Sequence, residues 1–464
     1  MSFREIKKIK LKNVESLFVI FSIVSFIFLW GYSYPIELNY VILSYSIILL
    51  FINFFKRNLK ILNINIFFVF FLSTHFFITS FIIKEFNHES LLSIGSIFLI
   101  SYFVNFYKYY ILDNLSLIIN FFLIIFFINI IYDIFFIGIY QDFHLRKDSV
   151  LFPEKGYLDF KDACFNCKYS YFRAEEKFNY LIFREISHFG MVAPAIILAK
   201  ALCNNNQNFR LNFFFLFFCI FTILFYSTSI IFNLLTCSIF FILFFREKFK
   251  FSKIIILISI IIFCIFTLLF NTSCNKKISD TISLFKNNID RFMFKSNTVD
   301  KIIVTVPKNL YNNKSSKFYK YKKKYYSNLS STVFFNSFLI SSEVLKKSLL
   351  GYGINNYEIA HKHYFENSLL DLEDMRIDRF KEYNKKDGSN NFAKIVVEFG
   401  IISILLIFLL FKFLKNPHVS LDNKIFYITL ILSQLVRGAG YFNGGFIFAI
   451  LIMISSLSIK KEND

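Results

Sequence analysis

Arg184, Glu185, Ser187 and His188 fall within five consecutive positions at the start of an apolar run. They are the side chains with which a membrane enzyme can move a proton or hold a phosphate. Glu185 and His188 are three apart and share one face of a helix, and Arg184 and His188, four apart, can also be neighbours. Two readings suit it. The carboxylate can cap the helix N-terminus inside an interfacial salt bridge, because unpaired amides there favour negative charge. It can instead act as a general base or substrate-positioning group, with His188 tuning it or holding a diphosphate.

Other polar groups recur at the ends of later apolar runs. Ser227, Thr228 and Ser229 either cap helices or donate hydrogen bonds to a bound sugar. Arg437 is followed by Gly438, Gly440, Tyr441 and the Gly444–Gly445 pair. Its guanidinium either snorkels to the interface or binds phosphate bidentately, and the glycines permit a close turn. The stretch 349–365, LLGYGINNYEIAHKHYF, offers Tyr352, Asn355, Asn356, His361 and His363 as sugar or phosphate contacts. In 387–406, Ser389, Asn390 and Asn391 are expected to cap a helix that carries Glu398 nearly two turns inside. An acidic group at membrane depth is expensive unless paired, so Glu398 is expected in a buried pair with Arg437 or a loop lysine, or in proton or cation handling. None of the histidines has a zinc spacing, and Cys164–Cys167 is a single CxxC, compatible with a disulfide, without a second pair. No metal or other cofactor is expected. No phosphate-binding loop is present to drive transport by ATP.

The elements that must position these groups follow from composition. The 464 residues are 56% hydrophobic and include 69 phenylalanines; only 18% are charged, where a soluble domain has roughly 25%. That excludes disordered and fibrous classes and disfavours a soluble enzyme. About 20 apolar residues cross the hydrocarbon layer as a helix. Twelve such spans are expected, near 15–31, 38–55, 63–83, 91–108, 115–139, 186–203, 210–227, 229–245, 253–270, 391–411, 423–437 and 441–458. The first is expected to be retained, since no small-residue cleavage site follows Trp30. The spacing predicts an all-α integral membrane protein. Helices one to five occupy 1–140, a first large external loop 141–183, helices six to nine 184–270, a second loop 271–390, and helices ten to twelve with a tail 391–464.

Basic residues set the orientation. Lys7 to Lys12, Lys56 to Lys60, Arg246 to Lys253, Lys412, Lys415, Lys460 and Lys461 all fall on one side of a twelve-span chain. The positive-inside rule makes that side cytoplasmic, with both termini there. The formal charge of +20 then divides between topology signals and a basic external stretch, Lys317–Tyr326, either solvated or attracted to anionic glycolipid head groups. It does not call for nucleic acid.

Four segments, read in order, resemble the O-antigen polymerase (Wzy) family, which is related to the O-antigen ligases. EISHFG at 185–190, with Pro194 downstream, resembles the family's E-P-S-H-F-A segment, with Ile186 in place of the proline. GYGINNY at 351–357 is similar to its G-x-G-x-N-x-Y segment. SNNFAKIVVEFG at 389–400 resembles its S-H-N start and E-x-G helix, with Asn390 where histidine is common. RGAGYF at 437–442 resembles a late external R-G-x-G-Y-F segment. An arginine often found after the Ser/Thr turn is replaced by Ile230 and Ile231.

The resemblance implies a glycosyltransferase of the bacterial inner membrane. It would join undecaprenyl-diphosphate-linked oligosaccharides at the periplasmic face, with inversion and without a metal. Under it, Arg437 and Arg184 stabilise the departing diphosphate, His188 assists, and Glu185 orients or deprotonates the acceptor hydroxyl. Ser187, Ser227, Ser229, Tyr352, Asn355, Asn356, His361, Asn390 and Tyr441 are the expected substrate contacts. A chain-length regulator and a flippase are the expected partners. Two alternatives are an O-antigen ligase transferring glycan to lipid A–core, and a polysaccharide flippase. A transporter would favour charged residues at the midplane and repeated halves, whereas the polar groups here gather at one rim.

Overall fold

The computed structural model describes residues 13–29, 40–55, 63–132, 186–203, 213–224, 228–270, 303–304, 326–327, 329–364 and 384–459. These form α1 (Asn13–Ile27), α2 (Tyr40–Phe55), α3 (Asn63–Ile83), α4 (His88–Asp113), α5 (Leu115–Tyr132), α6 (Ile186–Cys203), α7 (Phe213–Leu224), α8 (Thr228–Phe245) and α9 (Phe251–Phe270). There follow α10 (Leu329–Lys347), α11 (Tyr357–Tyr364), α12 (Asn391–Phe399), α13 (Ile404–Lys415), α14 (Leu421–Val436) and α15 (Phe446–Ser456). The strands among the described residues are β1 (Ile303–Val304) and β2 (Tyr326–Ser327), a two-residue parallel pair.

A helix occupies each of the twelve segments expected to span. Five stretches are long and apolar enough to cross a membrane: Asn65–Ile83, His88–Asp113, Thr228–Phe245, Phe251–Phe270 and Asn391–Lys415. The others are shorter apolar helices or, in α14, a more polar one. The segment expected at 91–108 is extended to His88–Asp113, because Asn87 caps its start by accepting from the Glu89 amide. The second large loop is not wholly irregular, since it holds α10 and α11.

Burial separates the helices by role. The core gathers on α14 and α15, and α14 packs along α6, α8, α12 and α15. Every residue of α15 is buried, whereas α9 and α13 keep Phe251, Phe263, Phe266, Phe270, Phe408 and Phe411 exposed. Outward phenylalanines on a chain this apolar are what a lipid solvent permits and water does not. Inside the bundle, hydroxyls such as Ser46, Thr222 and Thr429 bond back to the carbonyl one turn earlier, satisfying themselves without a partner helix.

The span expected as one helix at 391–411 is broken. Gly400 takes φ +55 and a short 3-10 turn runs from Gly400 to Ser403 before α13 resumes. The break frees carbonyls that a continuous helix would use. The Tyr352 amide donates to Val397 O at 3.0 Å, and the Gly353 amide to Glu398 O at 2.8 Å. In return the Ile401 amide donates to Leu349 O at 2.9 Å. The loop after α10 therefore docks into the gap in the helix, which meets the requirement that buried backbone groups be paired.

Candidate functional site

The start of α12 and the end of α14 meet at one rim. Asn390 caps α12, its Oδ1 accepting from the Ala393 amide at 2.7 Å and its Nδ2 donating to Ser337 Oγ at 2.7 Å. Asn391 locks onto the turn after α14: its Nδ2 donates to Gly440 O, and its Oδ1 accepts from the Gly440 amide at 3.1 Å. Arg437 ends α14, with its amide donating to Ser433 O. One guanidinium nitrogen donates to Ser389 O at 3.3 Å, and the Gly438 amide donates to the same carbonyl at 3.2 Å. Among the described residues Arg437 forms no ion pair, and it is partly exposed. Ser389 is buried, stands at φ +62, and its hydroxyl has no partner among the described residues. A side chain held in the left-handed region with an unmet hydroxyl is the kind of strain that collects at functional sites.

Beneath the rim lies the buried pair. Lys394 Nζ stands 2.8 Å from Glu398 Oε1, and the side chains are 2% and 0% exposed. The partner of Glu398 is thus a lysine one turn earlier on the same helix, not Arg437 or a loop lysine as the sequence suggested. The four-residue spacing that brings them together was present in the sequence. Glu398 also accepts from Tyr441 Oη at 2.6 Å and from the Tyr357 amide at 3.2 Å. Lys394 donates to Lys386 O at 2.6 Å and lies 5.1 Å from the Tyr441 ring centre.

The GYGINNY segment is held rather than free. Asn356 is buried, its Oδ1 accepting from Asn87 Nδ2 and Ser90 Oγ and its Nδ2 donating to Tyr352 O. Asn355 takes φ +59 and its carbonyl accepts from Asn87. Tyr352 Oη donates to Tyr364 Oη at 3.1 Å and lies 3.3 Å from His363 Nδ1. His361 is buried within α11. Burial pushes the Tyr352 and Tyr357 hydroxyls well above the ordinary tyrosine range, and nearby carboxylates add to it for both. Of the expected substrate contacts, Asn356, Asn390 and Tyr441 therefore spend their polar groups inside the protein, where they fix the backbone around the rim.

The other half of the expected site is described in part. Arg184, Glu185 and Ser227 lie outside the described residues, as do the side chain of Ser187 and the Cys164–Cys167 pair. His188 is half-buried in the first turn of α6. Two residues on, a Cβ on Gly190 would stand 2.9 Å from Ser229 Cβ, so α6 and α8 touch there, and Asn233 Nδ2 donates to Gly190 O at 2.9 Å. α14 flanks both helices, and Ser433 Oγ lies 3.9 Å from Cys237 Sγ on α8. His188 and Ser229 thus belong to one packed unit with the helix that carries Arg437.

An apolar groove of about 620 Å³ runs beside the rim, lined by Phe392, Ile395, Val396, Ile401, Ile407, Leu414, Leu432 and Leu435, among others. Phe392 adjoins Asn391, and Leu435 lies two residues before Arg437. The lining continues along α12 and α13 to Leu414. Among the described residues no three His, Cys, Asp or Glu side chains converge as a metal site would require.

A scan against protein-family models, a search of curated proteins and a search of solved structures each return no match.

Proposed function

We propose that this chain is a polymerase of lipid-diphosphate-linked oligosaccharides, with twelve spans, both termini cytoplasmic, and its rim at the periplasmic face of the inner membrane. The observation that carries the reading is that Arg437 ends α14, the helix whose Leu432 and Leu435 line the apolar groove. A groove lined by apolar side chains suits a polyprenyl tail. The Arg437 guanidinium, bonded among the described residues to a single carbonyl, keeps donors for the diphosphate that the tail carries.

In this account the bond between the anomeric carbon and the diphosphate oxygen breaks, and the lipid diphosphate leaves with the electron pair. Arg437, with Arg184, stabilises that charge, and His188 assists. The acceptor sugar hydroxyl forms the new bond to the anomeric carbon and gives its proton to Glu185. The buried asparagines and Tyr441 keep the rim in shape. No nucleotide sugar enters, because the lipid diphosphate is the leaving group.

Purified protein supplied with defined lipid-linked repeat units tests this. Extension of one lipid-linked glycan by a second is the expected result. Transfer only to lipid A–core would make the chain a ligase, and movement of intact repeats across a vesicle with no new glycosidic bond would make it a transporter.

A further inference from the structure

A buried ion pair is a costly way to hold a helix together. Apolar side chains of similar size commonly do it as well or better, and in an apolar bundle the cost of burying charge is higher still. What the pair does here is visible in its partners. Lys394 reaches back to the carbonyl of Lys386, three residues before Ser389. Glu398 reaches across to the hydroxyl of Tyr441, four residues after Arg437. Its other oxygen takes the amide of Tyr357, whose ring packs against Gly388 so closely that a Cβ there would lie 2.7 Å from the ring. Ser389 and Arg437, whose carbonyl and guanidinium meet at 3.3 Å, are therefore each tied to one member of the pair.

We propose that Lys394 and Glu398 form a positioning pair, with Tyr441 as its arm, that sets Arg437 against Ser389 so that the rim receives a prenyl diphosphate. This rests on the reading of Arg437 as the diphosphate-binding residue. It explains why Ser389 is held at φ +62: the segment 386–389 is clamped from below by Lys394 and from the side by Tyr357, and its backbone yields. It also gives the buried charges a task that an apolar pair could not perform, since each ties a polar group on a separate segment.

The test is a double-mutant cycle on the affinity of full-length purified protein for farnesyl diphosphate, a short prenyl diphosphate. Tyr441→Phe removes one hydroxyl and leaves the ring, so the bundle is expected to fold, with a lowered unfolding midpoint. On the wild-type background it is expected to weaken binding about fivefold, and on an Arg437→Ala background by less than about twofold, because the tie then has nothing to position. Glu398→Gln is expected to couple to Arg437 in the same sense. An equal loss on both backgrounds, or none on the wild-type background, overturns the proposal while leaving Arg437 as a diphosphate ligand. Failure of the wild-type protein to bind the probe removes the parent reading instead. Amide exchange supplies a second readout. The Gly438 and Gly440 amides, bonded to Ser389 and Asn391, are expected to exchange faster in Tyr441→Phe, and unchanged rates contradict the tie.

Discussion

Tyr441 and Glu398 lie 43 residues apart and meet at 2.6 Å in the interior, the phenol donating to a carboxylate that also holds Lys394. The turn after α14 is thereby fastened to α12. Removing the carboxylate should be severe. Glu398→Leu leaves the Lys394 ammonium buried without its counter-ion and is expected to cost about 3–5 kcal/mol. Glu398→Gln keeps an acceptor for Tyr441 and should cost less. Thermal unfolding in detergent or nanodiscs checks the order, and equal losses would mean that the charge is not what stabilises the site.

Glycine substitutions should divide by backbone geometry. A Cβ on Gly400 would lie 2.0 Å from Leu349 O, at φ +55, so Gly400→Ala should prevent the loop after α10 from docking. Gly95, in the middle of α4, has nothing within 4 Å of its would-be Cβ. Gly95→Ala should be neutral or stabilise by up to about 1 kcal/mol. Folded yield and unfolding midpoint of the two variants should therefore move apart, and a tolerated Gly400→Ala would contradict the broken helix.

The contrast between these two glycines shows what the sequence could reveal. Apolar runs located the helices well, because lipid leaves the backbone few other options. The break at Gly400 was hidden, since the run reads as unbroken and its cause is a loop about 50 residues earlier. Glu398 was recognisable as a group that needs a partner. The four-residue spacing to Lys394 is plain in the sequence, but spacing alone does not distinguish it from Arg437 or a loop lysine as the partner. Asn356, Asn390 and Tyr441 read from the sequence as substrate contacts. Their roles as internal ties depend on contacts with Asn87, Ser337 and Glu398 that no local pattern encodes.

Arg437 should behave as a fork rather than a point charge. Loss of charge-assisted hydrogen bonds to a diphosphate is expected to weaken prenyl-diphosphate binding by about tenfold or more in Arg437→Ala. Arg437→Lys restores charge but not two parallel donors, so recovery should be partial. Equilibrium binding across the three proteins checks this, and full recovery by lysine would indicate steering by charge alone.

The groove should discriminate by tail length. Leu435→Trp places bulk in the last turn of α14, and Ile407→Trp places it on α13. Both are expected to raise the KM for a long polyprenyl substrate. Only Leu435→Trp should also affect a short-tailed analogue, since a short tail ends before Ile407. If neither variant distinguishes tail length, the groove is not the tail's path.

In the proposed reaction each added repeat is transferred from a lipid diphosphate. The direct measurement is the amount of free lipid diphosphate released per glycosidic bond formed, by purified protein reconstituted with defined lipid-linked repeats. One released per bond is expected, with release and bond formation falling together in Glu185→Gln while substrate binding persists. Bonds formed without lipid diphosphate release, or neither product from folded, substrate-bound wild-type protein, would contradict the account.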